Sequence, residues 1–275
     1  MTCDGAFKIT HFILPTPRAF TAVIVQFCVV EFLMLVRPET VAKLPELPSL
    51  ANISNCVLAP VISAKPAVIF DVGGHKGQSI DYLIGLFPDS KIYSFEPDPD
   101  SFKILHKKQS CNVQTFNLAI SDKVGSAKFF RNNISHTNSL YRININSSDS
   151  IRAAEERNDN QSTYSDEINS EITVKTTTLS KFVSEHKIDH IDLLKIDVQG
   201  AEKNVLQGGV DIFKIVGSII IEISFYDFYE NSTSFVDIEK ILMPFGFKLF
   251  SILDISRNPM NGRTDWAEVL YKRVE

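Results

Sequence analysis

The chain has 275 residues, 44% of them hydrophobic and 22% charged, a balance that excludes a disordered or fibrous protein and allows one large α/β domain with an appendage or two small domains. Its net charge of −5 argues against a nucleic-acid partner held through backbone phosphates, which calls for a basic patch. The four cysteines, Cys3, Cys28, Cys56 and Cys111, show no CxxC or Cys/His spacing; we read them as free thiols rather than a zinc site or a disulfide framework.

Ala19 to Val36 is an apolar run of 18 residues broken only by Thr21, Gln26 and Glu31. A membrane span needs about 20 apolar residues, so the run has two readings. It is either a signal anchor of a single-pass membrane protein or a helix packed on a cytoplasmic one. Five Asn-x-Ser/Thr sequons, at Asn52, Asn133, Asn146, Asn160 and Asn231, suit the first reading. Prolines at 38, 45, 48, 60 and 66 mark a linker that cannot be a long helix. The expected organisation is an extension over residues 1–65 and a domain over residues 66–275.

From Ala67 the pattern alternates between strand and helix. AVIFDV, KIYSFEP and VQTFNLAI are short β-rich runs, separated by SIDYLIGLF, with Ser79 available as a cap, and by PDSFKILHKKQ, with Phe102, Ile104 and Leu105 expected to face inward. This βαβαβ order predicts parallel strands joined by right-handed crossovers. KVGSAKFFRNN and EITVKTTTL flank a polar tract, Asn144 to Glu171, that is read as an extended lid-like loop. TLSKFVSEH, AEKNVLQGG with its glycine stop, and SFVDIEKILMPFG then alternate as helices with the strands IDLLKID and SIIIEIS. Those two strands are apolar enough to be buried on both faces. FKLFSIL and WAEVLYKR, joined by a turn-rich segment, close the domain.

The first of these strands ends in Asp71 and runs into Gly73, Gly74, His75 and Gly77. Such a turn lets the backbone pass close to a ligand, beyond the carboxyl ends of a parallel sheet. A P-loop would need GxxxxGK followed by Ser/Thr, and a dinucleotide site would need GxGxxG; neither string occurs. The second strand ends in Glu96, 19 residues past Gly77, where a carboxylate can accept from both hydroxyls of an unphosphorylated ribose. S-adenosylmethionine satisfies both observations without a pyrophosphate, and NAD is the competing cofactor.

DVGGHKG, FEPDPDSFKIL, NLAISDKVGSAKFF, LLKIDVQGAEKNVLQGG and IIIEIS, in that order, resemble the FkbM family of S-adenosylmethionine-dependent methyltransferases over roughly Pro66 to Arg273. KIDVQGAE, Lys195 to Glu202, is the most specific string. The family usually has asparagine where this chain has His75. The resemblance implies a Rossmann-like class I methyltransferase fold: a mostly parallel seven-stranded sheet with an antiparallel last strand and helices on both faces. It also implies that Asp71, Gly73, His75 and Gly77 line the methionine end of the cofactor, that Glu96 holds the ribose, and that Ser121 and Asp122 meet the adenine.

Methyl transfer from a sulfonium is an in-line displacement, and a hydroxyl acceptor must also lose a proton. Asp197 and Glu222 end strands that face one crevice, and Lys195 shares a side with Asp197 by alternation; these three are the candidate catalytic residues. Glu202 opens the next helix, where interaction with the helix N-terminus is an equally good account. His136 and Asn138 belong to a polar segment near the acceptor or to a simple turn. No metal site is assigned. The resemblance implies O-methylation of a sugar or another small hydroxylated metabolite; a catalytically silent, membrane-tethered module and an NAD-dependent oxidoreductase are the alternatives.

Overall fold

The computed structural model describes residues 67–147, 168–257 and 262–274. The apolar run at 19–36, the proline-rich linker, most of the polar tract and the tip of the closing turn lie outside them. Among the described residues no helix is long and apolar enough to cross a membrane.

Among the described residues ten strands form two sheets. They are β1 (Val68–Val72), β2 (Lys91–Phe95), β3 (Val113–Phe116), β4 (Ala119–Ile120), β5 (Gly125–Arg131), β6 (Ser170–Thr177), β7 (Ile191–Ile196), β8 (Val216–Ser224), β9 (Phe247–Arg257) and β10 (Thr264–Arg273). The larger sheet has seven strands in the order β3-β2-β1-β7-β8-β10-β9. β3, β2, β1, β7 and β8 pair in parallel, and β10 runs antiparallel between β8 and β9. This is the mostly parallel seven-stranded class I methyltransferase sheet with its last strand reversed. The chain leaves β1 toward β2 and returns on the other side at β7, so a crevice opens between the carboxyl ends of β1 and β7.

VQTFNLAI is not one strand, contrary to the pattern reading. Its first half is β3, and Ala119–Ile120 cross into a three-stranded sheet of order β4-β6-β5. KVGSAKFFRNN and EITVKTTTL supply β5 and β6 of that second sheet, and the strand signal already begins at Ser170 within the supposed loop.

Among the described residues five α-helices cover the large sheet: α1 (Gln78–Leu86), α2 (Pro99–Leu105), α3 (Leu179–His186), α4 (Glu202–Gln207) and α5 (Phe235–Leu242). The central strands alternate between two apolar cores. Ile69, Leu193 and Ile220 pack with Ile80 and Leu83 of α1 and Leu105 of α2 on one face. Phe70, Leu194, Ile219 and Ile221 pack with Phe182 of α3, Leu206 of α4 and Ile238 of α5 on the other. Adjacent residues are therefore both buried, as a strand covered on both sides requires. Phe70, Phe95, Phe116 and Phe182 form an aromatic knot in which Phe182 meets Phe95 edge-on at 4.7 Å and Phe116 at 4.9 Å, each such pair contributing about 0.5–1.5 kcal/mol beyond burial.

Local signals fix the helix starts. Ser234 and Asp237 make a reciprocal capping box on α5, Thr178 accepts from the Lys181 amide on α3, and Asp98 precedes a proline at the first position of α2. Ser79 is not the cap of α1: Gly77 is, and the Ser79 hydroxyl donates to Asp71 instead. In α2 Leu105 is buried while Ile104 is 41% exposed, because positions 102 and 105 share a helix face and 104 does not. Gly208 after α4 stays right-handed, and its role is closeness: a Cβ there would overlap the Ser121 carbonyl.

Candidate functional site

A cavity of about 590 Å³ occupies the crevice, within the usual range for a small-molecule site. The turn after β1 forms its floor. Gly73 has φ +90°, and a Cβ there would overlap the Asp197 carbonyl oxygen. Only glycine, which lacks that atom and tolerates positive φ, lets the turn pass against the end of β7. The Gly73 and Gly74 amides both donate to the Phe95 carbonyl, at 3.0 and 2.9 Å, and the Gly77 amide donates to Gly74 at 2.8 Å. The His75 amide donates to Glu96 Oε2 at 2.8 Å. Four turn amides are thus committed to protein acceptors rather than presented as a phosphate cradle.

Glu96 is 6% exposed. Its Oε1 accepts from the Asp98 amide at 2.7 Å, so each carboxylate oxygen has one backbone donor and keeps a lone pair for the cavity. Burial pushes its carboxyl up to about 7, against the two amide hydrogen bonds. Beside it Leu118, Ala119 and Ile120, where the chain crosses between sheets, make an apolar wall with Phe95.

Across the cavity, Lys195 and Asp197 leave the end of β7 on one side, 3.2 Å apart. Burial works against the Lys195 ammonium, but the carboxylates of Asp197, Asp71 and Glu268 outweigh it and hold this lysine above its ordinary range. Burial likewise opposes ionisation of Asp197, yet the Lys195 charge and a hydrogen bond from Gln199 keep it below the usual carboxylate range. Glu222 on β8 goes the other way: burial, then the charges of Asp197 and Glu202, push it well up. Two neighbouring carboxyls are therefore pushed apart, one ionised and one carrying its proton, the pattern that separates acid from base in active sites.

Gly73, His75, Glu96, Lys195, Asp197 and Glu222 line the cavity, as do His136 and Asn138. Asp71, Gly77, Ser121, Asp122 and Glu202 do not. Asp71 is fully buried beneath the turn, where its Oδ2 accepts from Ser94 at 2.7 Å and Ser79 at 2.9 Å and so braces the turn. Gly77 caps α1, with its Cα packed toward Lys108. Ser121 binds Asp122 and the backbone of β6, because the crossing at β4 turns both residues away from the wall. Glu202 is buried, accepts from the Gly200 amide at 2.9 Å, and is pushed up to about 7 by burial.

His75 adopts φ 46°. Its ring shares a 2.9 Å hydrogen bond with Ser135 on the 3₁₀ turn Ser135–Thr137. Burial, followed by the charges of Lys76 and His136, lowers its pKa, so it is a neutral hydrogen-bonding group near pH 7. Sequence reading missed Gln199, Trp266, Glu268 and Asp254, all on the cavity wall. Alternation in WAEVLYKR would have put Trp266 and Glu268 on one side of β10, and the register pairs Glu268 with Glu222 and with Asp254.

A model of the methyltransferase FkbM domain matches residues 71–249. The chain belongs to the FkbM methyltransferase family. Among curated relatives of this FkbM protein, the 2-O-methyltransferase NoeI of Sinorhizobium fredii (strain NBRC 101917 / NGR234) is 29% identical over 60% of this chain and 66% of its own length, just under two thirds of that protein. Methyltransferase sdnD of Sordaria araneosa is 25% identical over 75% of this chain and 79% of its own. Among solved structures, an rRNA methylase from Streptococcus thermophilus superposes with a TM-score of 0.44 and 11% identity, covering 84% of this chain and 100% of that one.

The cofactor of the FkbM family is S-adenosylmethionine, and the residues present fit an adenosyl group. Glu96 offers carboxylate lone pairs at the end of β2, the apolar wall at 118–120 offers a face for a base, and the turn carries no cradle for a pyrophosphate.

Proposed function

We propose that this protein transfers a methyl group from S-adenosylmethionine to a hydroxyl of a sugar or another small metabolite. The observation that carries the reading is the pairing, on one cavity, of a ribose-competent carboxylate at Glu96 with a split carboxyl pair at Asp197 and Glu222. The printed name of NoeI, a 2-O-methyltransferase, agrees with a hydroxyl acceptor.

When bound, S-adenosylmethionine supplies an electrophilic methyl on a sulfonium. Glu96 fixes the ribose, and the close approach of Gly73 to Asp197 sets the distance between the cofactor floor and the acceptor wall. Asp197, ionised, accepts a hydrogen bond from the acceptor hydroxyl and takes its proton as the oxygen attacks. Lys195 holds the Asp197 carboxylate in place at 3.2 Å. Glu222, protonated, donates to a second oxygen of the acceptor. The walls supply alignment, which is most of what an in-line displacement needs.

The test is a screen with methyl-labelled S-adenosylmethionine across sugar, lipid and small-metabolite acceptors. Transfer to a hydroxyl, lost in Asp197→Asn, supports the reading. Transfer to nitrogen or carbon acceptors alone would overturn it.

A further inference from the structure

The geometry points to Gln199 as a positioning residue whose carboxamide bridges Asp197 and Glu222 and favours the ionised form of Asp197. Its place in a catalytic cycle rests on the methyl-transfer reading above; its effect on the two carboxyls does not.

Gln199 has φ 57°, in the left-handed region that residues with a Cβ seldom occupy and that persists only where the surroundings over-determine it. They do so here from three directions. The Gln199 carbonyl accepts from the Ser139 hydroxyl at 2.7 Å. The next amide, of Gly200, donates to Glu202, and the Gly200 carbonyl accepts from both the amide and the hydroxyl of Thr233, each at 2.8 Å.

This backbone turns the side chain back over the end of β7. Nε2 donates to Asp197 Oδ1 at 2.8 Å and to Glu222 Oε1 at 3.2 Å. A primary amide has two N–H donors, so both are spent on the two carboxyls. The other end is oriented as well: Oε1 accepts from the Tyr229 hydroxyl at 3.0 Å, whose proton it shares with the Thr137 carbonyl at 3.0 Å. A flipped amide would set its carbonyl against the ionised Asp197.

The consequence for charge is asymmetric. An amide neither gains nor loses a proton in the working range, and its donors favour whichever partner is ionised. Asp197 also faces Lys195 on β7, whose charge favours its own, and His75 in the turn, which does so only when protonated. Glu222 faces Asp197, Glu202 on α4 and Glu268 on β10, which oppose ionisation, with Lys195 favouring it. Tyr229 lies near the same carboxylates, and Asp71 on β1 faces Lys195. Lys195 is therefore shared by several acids, while Gln199 alone among these groups donates to both members of the pair. Without it Asp197 loses the one uncharged side-chain donor that favours its ionised form.

The experiment is carbon-13 carboxyl NMR titration of the full chain, with the two signals assigned through Asp197→Asn and Glu222→Gln. Gln199→Leu removes both donors at similar volume; Gln199→Asn keeps an amide and tolerates the left-handed backbone but falls short of the carboxyls, and serves if the leucine variant does not fold. The midpoint of Asp197 should rise by about one unit in either variant. Where methyl transfer is measurable, the acid limb of kcat/KM should move by the same amount. An Asp197 midpoint that stays put would overturn the proposal. A shifted midpoint in a chain that methylates no acceptor would uphold the role of Gln199 and sink the methyl-transfer reading instead.

Discussion

Glu96→Gln offers a test whose size can be worked from the structure. Glu96 is 6% exposed, and its carboxyl is pushed from 4.5 to about 7 by burial. Because the folded value lies above the unfolded one, the folded protein holds a proton that the unfolded chain releases as pH rises between them, and stability must fall across that window. At about 1.4 kcal/mol per unit the full loss is on the order of 3 kcal/mol, most of it between about pH 5 and about pH 8. Glutamine keeps the shape and cannot ionise. It leaves one of the two backbone donors, His75 or Asp98, facing an NH₂ group, at a roughly constant cost of about 1–3 kcal/mol. Urea unfolding of native and variant protein at several pH values separates these terms. The variant should be clearly the less stable near pH 5, and the difference should close by on the order of 2–3 kcal/mol toward pH 8. Glu202, also raised to about 7, remains in both proteins and cancels. A difference that stays constant within about 0.5 kcal/mol across the range would refute the burial of a titrating Glu96.

Gly73→Ala should cost about 2–4 kcal/mol in urea unfolding, since a Cβ at φ +90° meets the Asp197 carbonyl and adds strain to overpacking. Asp197→Asn should lower kcat/KM by about 10²–10⁴-fold. Glu222→Gln should keep most activity and lose the alkaline limb of the pH profile, because a second charge can no longer form beside Asp197; an unchanged limb would remove Glu222 from the chemistry. Leu193→Ala, in a side chain with no exposure between β1 and β8, should destabilise by about 2–5 kcal/mol without altering the pH dependence.

Much of the sheet could be read from residue order, because Ile69–Phe70 and Leu193–Leu194 are adjacent apolar pairs that only a strand covered on both faces can bury. The split of VQTFNLAI was not legible: Ala119–Ile120 is too short to carry a period, and its pairing with Thr176 and Thr177 is set by residues more than fifty positions away. That unseen crossing is also why residues 118–120 line the cavity while Ser121 and Asp122 do not. Asp71 lies off the cavity lining for a related reason. Its register partner Ser94 donates to its carboxylate beneath the turn, and register is invisible in one strand alone. Glu96, Lys195, Asp197 and Glu222 could be read because strand ends in a parallel sheet all open on the same crevice. Gln199 could not, since nothing in KIDVQGAE announces a left-handed backbone at a residue with a side chain.

The account rests most directly on the ligand of the turn and of Glu96, and calorimetry with S-adenosylhomocysteine addresses it. The native chain should bind one molecule, Glu96→Ala should weaken binding by about ten-fold or more, equivalent to about 1.4 kcal/mol, and NAD should not compete. Saturable NAD binding, with neither S-adenosylmethionine nor S-adenosylhomocysteine bound, would contradict it.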